Sequence, residues 1–394
     1  MLFWQYVFWI SVFIVFYNYI GYGLLLYVWN KLRGRRKPAF DAAYFPTVSF
    51  IVAAYNEEDC IEKKIINSLQ QDYPADKIEF IFITDGSSDD TPSIVSRYPS
   101  VQLLHRPERL GKTAALNRAV ESARHEILIF SDANTFLNPG ATRNITRHYS
   151  HPRVGGVAGE KKVISGSGST DEVGAGEGLY WKYESFLKQL DSDFYSVVGA
   201  AGELFSLRRS LYEPVNARVI LDDFIISMKV AQKGYRVIYE PGAFAAELPS
   251  FSIEDEQKRK VRIAAGGFQA MGMLKPSLNL LKNGRLAFLY ISHRVLRWTL
   301  SPLCLVLAFV SSAIVFGSTG SPLYGLLFGA QALFYTAALL APRRNTGGAA
   351  GKLMRLCYYF AFMNISVIQG FFRFIKGGQS AAWEKARRSN VVAA

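Results

Sequence analysis

The chain has 394 residues, 45 Lys+Arg against 32 Asp+Glu, a formal net charge of +13 and a hydrophobic fraction of one half. Its mean hydropathy is slightly positive although a fifth of its residues are charged, so apolar and polar stretches are segregated and a disordered chain is excluded. Cys60, Cys304 and Cys357 lie far apart without a CxxC pair, which argues against a disulfide framework or Cys-rich zinc site and fits a reducing compartment around Cys60.

Residues 2–29 carry no charged side chain, and roughly 20 apolar residues suffice to cross the hydrocarbon as a helix. Lys31, Arg33, Arg35, Arg36 and Lys37 follow directly, a cluster that stays cytoplasmic. A cleaved signal peptide would put its positive charges ahead of a shorter apolar run. Residues 1–30 therefore read as a permanent anchor with its N-terminus outside. Trp4, Trp9 and Trp29 sit near its ends, where amphipathic rings favour the interface.

Residues 38–250 read as a water-soluble α/β domain. Val48–Ala54 is a continuous apolar run suited to a strand buried on both faces. Tyr55-Asn56-Glu57-Glu58 breaks it, and a helical pattern continues through Leu69. Ile78–Thr84 is a second run, ending in Asp85-Gly86-Ser87-Ser88-Asp89-Asp90. Val101–Leu104 precedes Arg109-Leu110-Gly111-Lys112 and another helix. Glu126–Ser131 ends in Asp132-Ala133-Asn134. Strands alternating with helices predict a mostly parallel sheet, whose ligands bind outside the carboxyl ends of its strands. An Asp/Asn pair there can hold a hard divalent cation through oxygen, and Lys112 opening a helix offers a cation and free N–H groups to a phosphate. Each feature also has a structural reading. Asp85-Gly86 is a common turn, Ser88, Asp89 or Asp90 can cap a helix, and Asp222-Asp223 can be an acidic pair favoured by a helix dipole. Gly166–Gly178, rich in Gly and Ser, reads as a lid or linker.

Residues 251–298 mix Lys258, Arg259, Lys260, Arg262, Arg294 and Arg297 with Ile, Phe, Met and Leu. This basic amphipathic pattern suits helices on an anionic membrane surface, with ordinary surface helices of the soluble domain as the alternative. Residues 299–376 contain three apolar runs, Leu300–Phe316, Leu323–Leu340 and Leu356–Phe374. The uncharged loop Gly317–Ser321 suits the outside, and the basic loop with Arg343, Arg344, Lys352 and Arg355 the inside. Four full spans would put the basic tail, 377–394, outside, so either the positive-inside tendency fails or the last run is re-entrant or interfacial. The charge fits membrane lipids and phosphate-bearing substrates, and no nucleic-acid motif is present. His105, His125, His148, His151 and His293 lack ligand spacing and read as surface or capping residues.

Ala54-Tyr55-Asn56-Glu57, Asp85-Gly86-Ser87-x-Asp89, Gly111-Lys112, Asp132-x-Asn134 and Asp222-Asp223 occur in an order that resembles membrane glycosyltransferase family 2 of GT-A fold, which includes cellulose, chitin and hyaluronan synthases. The resemblance covers about residues 45–265. It implies a Rossmann-like, mostly parallel cytoplasmic domain with transmembrane helices on both sides. It also implies that Tyr55, Glu57 and Asp85 line a nucleoside pocket, that Lys112 joins the nucleotide site, and that Asp132 and Asn134 hold Mg²⁺ or Mn²⁺ with the diphosphate. Asn134 departs from the usual second Asp and offers only a neutral carbonyl oxygen. Asp223, beside Asp222, takes the place of the catalytic base, and Gly202 and Glu203, ahead of Arg208-Arg209, that of the loop beside the acceptor. For the synthases' QxxRW, the matching stretch is Gln257–Val261, with Val261 in the Trp position and Arg259 or Arg262 available to phosphate. Loss of that aromatic platform and the small number of spans argue against long processive synthesis.

The expected activity is inverting transfer from a nucleotide sugar, UDP-linked, to a lipid-linked saccharide or surface-polysaccharide acceptor at the plasma (inner) membrane. The alternatives are a processive polysaccharide synthase and a catalytically silent nucleotide-sugar-binding regulator, against which the intact Asp223 argues. A nucleotidyltransferase could share the sheet but would not require the flanking spans.

Overall fold

The computed structural model describes residues 1–34, 38–163, 172–247, 253–341 and 348–377. One eight-stranded sheet carries the domain: β1 Val48–Ala54, β2 Ile78–Asp85, β3 Val101–Arg106, β4 Ile127–Asp132, β5 Phe136–Leu137, β6 Val154–Val163, β7 Leu204–Arg208 and β8 Arg236–Glu247, in the order β3-β2-β1-β4-β7-β6-β8-β5. Strands β1 to β4 are parallel to one another, as their apolar runs predict. Every residue of β1 is buried, because the sheet is covered on both faces. Ala53 pairs with Ile83 of β2 and with Asp132 of β4, so Asp85 and Asp132 leave the sheet at one rim.

The far half departs from a purely parallel scheme. Strand β7 runs antiparallel to β4 and β6, β6 and β8 are parallel, and β5 is antiparallel to β8. Register shifts in β6 at Val154/Gly156 and Gly159/Glu160 interrupt the regular alternation.

One core cluster joins Phe50, Val52, Phe82 and Ile129 to Ile61 and Ile65 of the helix Ile61–Leu69. The other joins Ile51, Ile81, Phe130 and Leu207 to Phe224, Tyr290 and Trp298, and also to Tyr22 and Leu26 of the N-terminal helix. Each fully buried side chain of this size contributes roughly 1.5–3 kcal/mol.

Among the described residues, three helical stretches are long and apolar enough to cross a membrane: Leu2–Arg33, Leu300–Thr319 and Pro322–Leu340. Arg35, Arg36, Lys37, Arg343, Arg344 and the tail after residue 377 lie outside the described residues. The first stretch contains a π-helical turn, Tyr17–Gly21, facing a second at Ile291–Val295. Asn18 donates to the Ser292 carbonyl at 2.8 Å, and the Tyr17 and Ser292 hydroxyls lie 2.8 Å apart.

The segment expected at the membrane surface forms helices at Ile253–Met273 and Leu280–Tyr290, the second π turn and Leu296–Trp298. One face closes on the domain through Phe268, Leu286, Tyr290 and Trp298, while Leu281 is 97% exposed. The last apolar run belongs to the helix Gly348–Ile375, whose Phe371 and Phe374 rings lie 5.1 and 6.1 Å from Phe268. Of Gly166–Gly178, residues 166–171 lie outside the described set, and a helix, Glu172–Phe194, includes the remainder.

Candidate active site

Each predicted acidic motif sits where an apolar strand meets the rim. Asp85, 5% exposed, accepts from the backbone N–H groups of Leu110 and Gly111 at 3.0 and 2.6 Å, so it holds the loop that delivers Lys112. The Tyr55 ring lies under the Arg109 guanidinium, 3.9 Å away. The Glu57 backbone N–H donates to Thr91, and its buried carboxylate accepts from the Cys60 thiol at 3.3 Å. Asp89 takes the capping role, accepting from the Thr91 and Glu58 N–H groups.

Lys112 opens the helix Lys112–Ser122 and reaches Asp132 with Nζ 2.5 Å from Oδ1. Burial raises the Asp132 carboxyl even against the opposing Lys112 charge. Beneath this rim the buried Lys64 donates to Ser131 Oγ at 2.7 Å and the Thr135 carbonyl at 2.8 Å, bracketing the Asp132–Asn134 turn. Burial pulls its ammonium down to about 7. Sequence reasoning missed Lys64 because it sits among the charged residues of an ordinary helix pattern.

Asp222 and Asp223 head the helix Asp222–Gln232, as the dipole reading of that pair predicts. Asp223 Oδ1 accepts from the Phe224 N–H at 2.8 Å. The loop before β7 folds onto this helix: the Ala200 N–H donates to Ser227 Oγ at 2.9 Å. Gly199 has φ 81°, and a Cβ there would stand 2.0 Å from Phe224, so only glycine fits. At Gly202 the Cβ position would be 3.3 Å from both Asp223 Oδ2 and Lys112 Nζ. The loop, Asp223, Lys112 and Asp132 thereby meet at one point.

Burial, then the adjacent Asp222 carboxylate, push Asp223 up to about 7. Asp222 is itself buried, and its Oδ2 lacks a hydrogen-bond partner among the described residues. Burial would raise Glu203, but Lys161 at 2.6 Å overrides it and holds the carboxyl well below its ordinary range. Lys161 also pairs with Glu247. Arg262 feels both Asp222 and Asp223, and Arg259, paired with Glu256 at 2.9 Å, feels Glu203. Arg208 is not part of this group. It pairs across the sheet with Ile127, at the opposite rim, and binds Glu126 at 2.7 Å.

A cavity of about 350 Å³ extends from Asp223 and Glu203 between the helices. Tyr19, Tyr180, Trp181, Trp298, Tyr359 and Phe360 supply its aromatic wall, and Ile263 rather than Val261 is part of the lining. The aromatic surface that Val261 lacks thus comes from other elements. The adjacent Tyr180-Trp181 and Arg297-Trp298 pairs were the available signal.

Two histidines are not the surface or capping residues expected. His148 is buried with Nε2 2.6 Å from Glu240, and His293 is buried with Nδ1 2.6 Å from Asp191. His293 belongs to a chain in which Tyr22 donates to Asp191 at 2.5 Å and Glu184 pairs with Arg294 and Arg297. Pairing with distant carboxylates, invisible in local spacing, drew both inside.

Among the described residues, no group of three His, Cys, Asp or Glu side chains could hold a metal ion. Asp132 and Asn134 supply two oxygen-bearing side chains, with the Lys112 ammonium against Asp132. That donor set fits a cation that keeps waters and brings substrate phosphates as its other ligands.

Residues 49–215 match the sequence profile of Glycosyl transferase family 2. The chain is 26% identical over 280 residues to a poly-beta-1,6-N-acetyl-D-glucosamine synthase of Staphylococcus aureus (strain MSSA476), covering 69% of this chain and 67% of that protein. A Staphylococcus epidermidis protein of the same name is 26% identical over 231 residues, 57% of this chain and 55% of its own length. In fold, the chain is similar to a mannosyltransferase from Pyrobaculum calidifontis solved with GDP-Man and Mn²⁺, with a TM-score of 0.73 and 24% identity over 94% of this chain and 99% of that one. The protein is therefore a glycosyltransferase with a GT-A-like domain that is similar to family 2 over residues 49–215 and is flanked by apolar helices able to cross a membrane.

Proposed function

We propose that the protein moves a sugar from a nucleotide-sugar donor, UDP-linked by the family resemblance, to a membrane-borne acceptor with inversion at the anomeric carbon. Asp223 is the base. It takes the proton of the acceptor hydroxyl, whose oxygen bonds to the anomeric carbon as the bond from that carbon to the diphosphate oxygen breaks. The nucleoside diphosphate leaves with the electron pair. A hydroxyl is a poor nucleophile until a positioned base takes its proton, and a carboxyl held near 7 suits that task. The observation supporting this reading is that a Cβ at Gly202 would stand 3.3 Å from both Asp223 Oδ2 and Lys112 Nζ, with Lys112 on Asp132. Base and diphosphate-facing cation bracket one point, and a regulator that only binds the donor has no use for the base.

Tyr55 and Asp85 border the nucleoside side in this reading, and Glu57 supports them from behind. Asp132 and Asn134 would hold Mg²⁺ or Mn²⁺, which supplies neutralisation of charge on the departing diphosphate. Lys112, Arg259 and Arg262 add fixed positive charge there. Gly202 and Glu203 form the acceptor side, with Asp222 tuning its neighbour.

Three spans reconcile the charge pattern: an N-terminus outside, the domain on the cytoplasmic side of the plasma membrane, and the helix Gly348–Ile375 lying along the surface against Ile253–Met273, so the basic tail stays inside. A processive synthase is the second reading, favoured by the name of the staphylococcal relatives and the aromatic cavity wall. The test incubates purified protein and Mn²⁺ or Mg²⁺ with a panel of nucleotide sugars and a membrane extract, measuring nucleoside diphosphate release and product length. Release that Asp223→Asn does not reduce refutes the assignment, and long polymer selects the second reading.

A further inference from the structure

The helix Ile61–Leu69 turns Ile61, Lys64, Ile65 and Ser68 inward. Ile61 and Ile65 join an apolar cluster, whereas Lys64, fully buried, carries an amine to the same side of the sheet. Taking an ammonium out of water is costly, and a methionine of similar length would fill the space without that cost. What explains a lysine here is what its Nζ touches.

Lys64 donates to Ser131 Oγ at 2.7 Å and to the Thr135 carbonyl at 2.8 Å, one residue outside Asp132 and Asn134 on either side. The Asp132 carboxylate and the Cys60 thiol act on it from farther off, and both favour its charged form. Having accepted from Lys64, the Ser131 hydroxyl gives its own proton to the Glu203 carbonyl at 3.0 Å. Thr135 Oγ1 donates back to the Asp132 carbonyl at 3.0 Å. Cys60, four residues before Lys64, sets its Sγ 3.8 Å from the Ala133 carbonyl. The turn is thus held from beneath by one helix, and the loop carrying Gly202 and Glu203 hangs on the same serine.

We infer that Lys64 is a positioning residue for sugar transfer: its Nζ clamps both shoulders of the Asp132–Asn134 turn and, through Ser131, fixes that turn against the loop of Gly202 and Glu203. This rests on the reading of Asp132 and Asn134 as the cation-holding pair. Charge alone would act in the opposite sense, since a cation beneath a cation site repels the metal. The sign of the effect therefore separates positioning from electrostatics.

The test uses the full chain in phosphatidylcholine nanodiscs and measures Mn²⁺ binding by electron paramagnetic resonance with UDP, and in parallel with GDP, well below the Tm of each variant. Lys64→Met should weaken Mn²⁺ binding about tenfold or more, as loss of a group that orients metal ligands does. Binding of the nucleotide with chelator present should be unchanged, and excess Mn²⁺ should restore most of the transfer rate. Ser131→Ala should weaken Mn²⁺ in the same direction, and the double variant should lose less than the sum of the two, because they share one hydroxyl. Unchanged or tighter Mn²⁺ binding in Lys64→Met overturns the inference, as do equal losses with and without metal. Should Lys64→Met fail to fold, Ser131→Ala decides alone, and unchanged Mn²⁺ binding there overturns it. An unaltered protein that takes no Mn²⁺ with either nucleotide defeats the cation-site reading and this role together. Firm binding that both variants leave untouched defeats only the role of Lys64.

Discussion

The two sides of the site are built differently. The side proposed to take the donor comes from strand ends: Asp85 closes β2, Asp132 closes β4, and Lys112 hangs on a loop that Asp85 pins. The side proposed for the acceptor has no strand behind most of it. Trp181, the Arg297-Trp298 pair and Tyr359 come from three separate helices, held by the buried ion chain from Tyr22 to Glu184. A sheet rim imposes position through register, so short motifs suffice there. A cavity between helices depends on long-range packing and leaves no compact signature.

Asp223 joins the two sides, so its loss should have the largest effect. Asp223→Asn should lower transfer by about 10²–10⁴-fold while nucleotide affinity, read by calorimetry, stays within a few-fold. Glu184→Gln strikes the acceptor side alone. It leaves Arg294 and Arg297 buried without their carboxylate and should cost roughly 3–5 kcal/mol, seen as a lowered Tm with donor-site residues unaltered. Asp132→Ala strikes the donor side: nucleotide binding should weaken about tenfold or more and become insensitive to chelator.

The pH profile sharpens the join. Asp223, the proposed base, must be deprotonated to act and is held near 7. Transfer should therefore climb with pH and level off above about 7, falling about tenfold for each unit below. An ordinary aspartate would give a flat profile over that range, and Asp223→Asn should abolish the limb. The smallest effects concern the wall. Trp181→Ala should shorten or weaken acceptor use measurably, whereas Val261→Ala, outside the lining, should leave product length unchanged.

How far the sequence was readable follows the same division. The apolar runs of β1, β2 and β4 are buried through both faces, so each declared itself, and its terminal motif was placed with it. Strands β6 and β8 are broken by Gly155-Gly156 and Pro241-Gly242 and did not. Asp222-Asp223 was legible as a pair, yet its approach to Lys112 depends on the fold at Gly199 and Gly202. Lys64 and His293 were unreadable because their partners, Ser131 and Asp191, are remote in sequence. The match of Val261 to a tryptophan position followed spacing alone, while the aromatic wall was assembled from elsewhere.

The N-terminal helix inserts Tyr22 and Leu26 into the same apolar cluster as the sheet, and Tyr22 holds Asp191 by its hydroxyl. Anchor and enzyme are consequently welded rather than tethered. A fragment trimmed at residue 38 to gain solubility would open a seam beside the helix Glu172–Phe194 and strip the Asp191–His293 pair of its third member. This apolar helix, long enough to cross a membrane, thus doubles as a structural wedge, and recombinant work on this protein calls for the intact polypeptide.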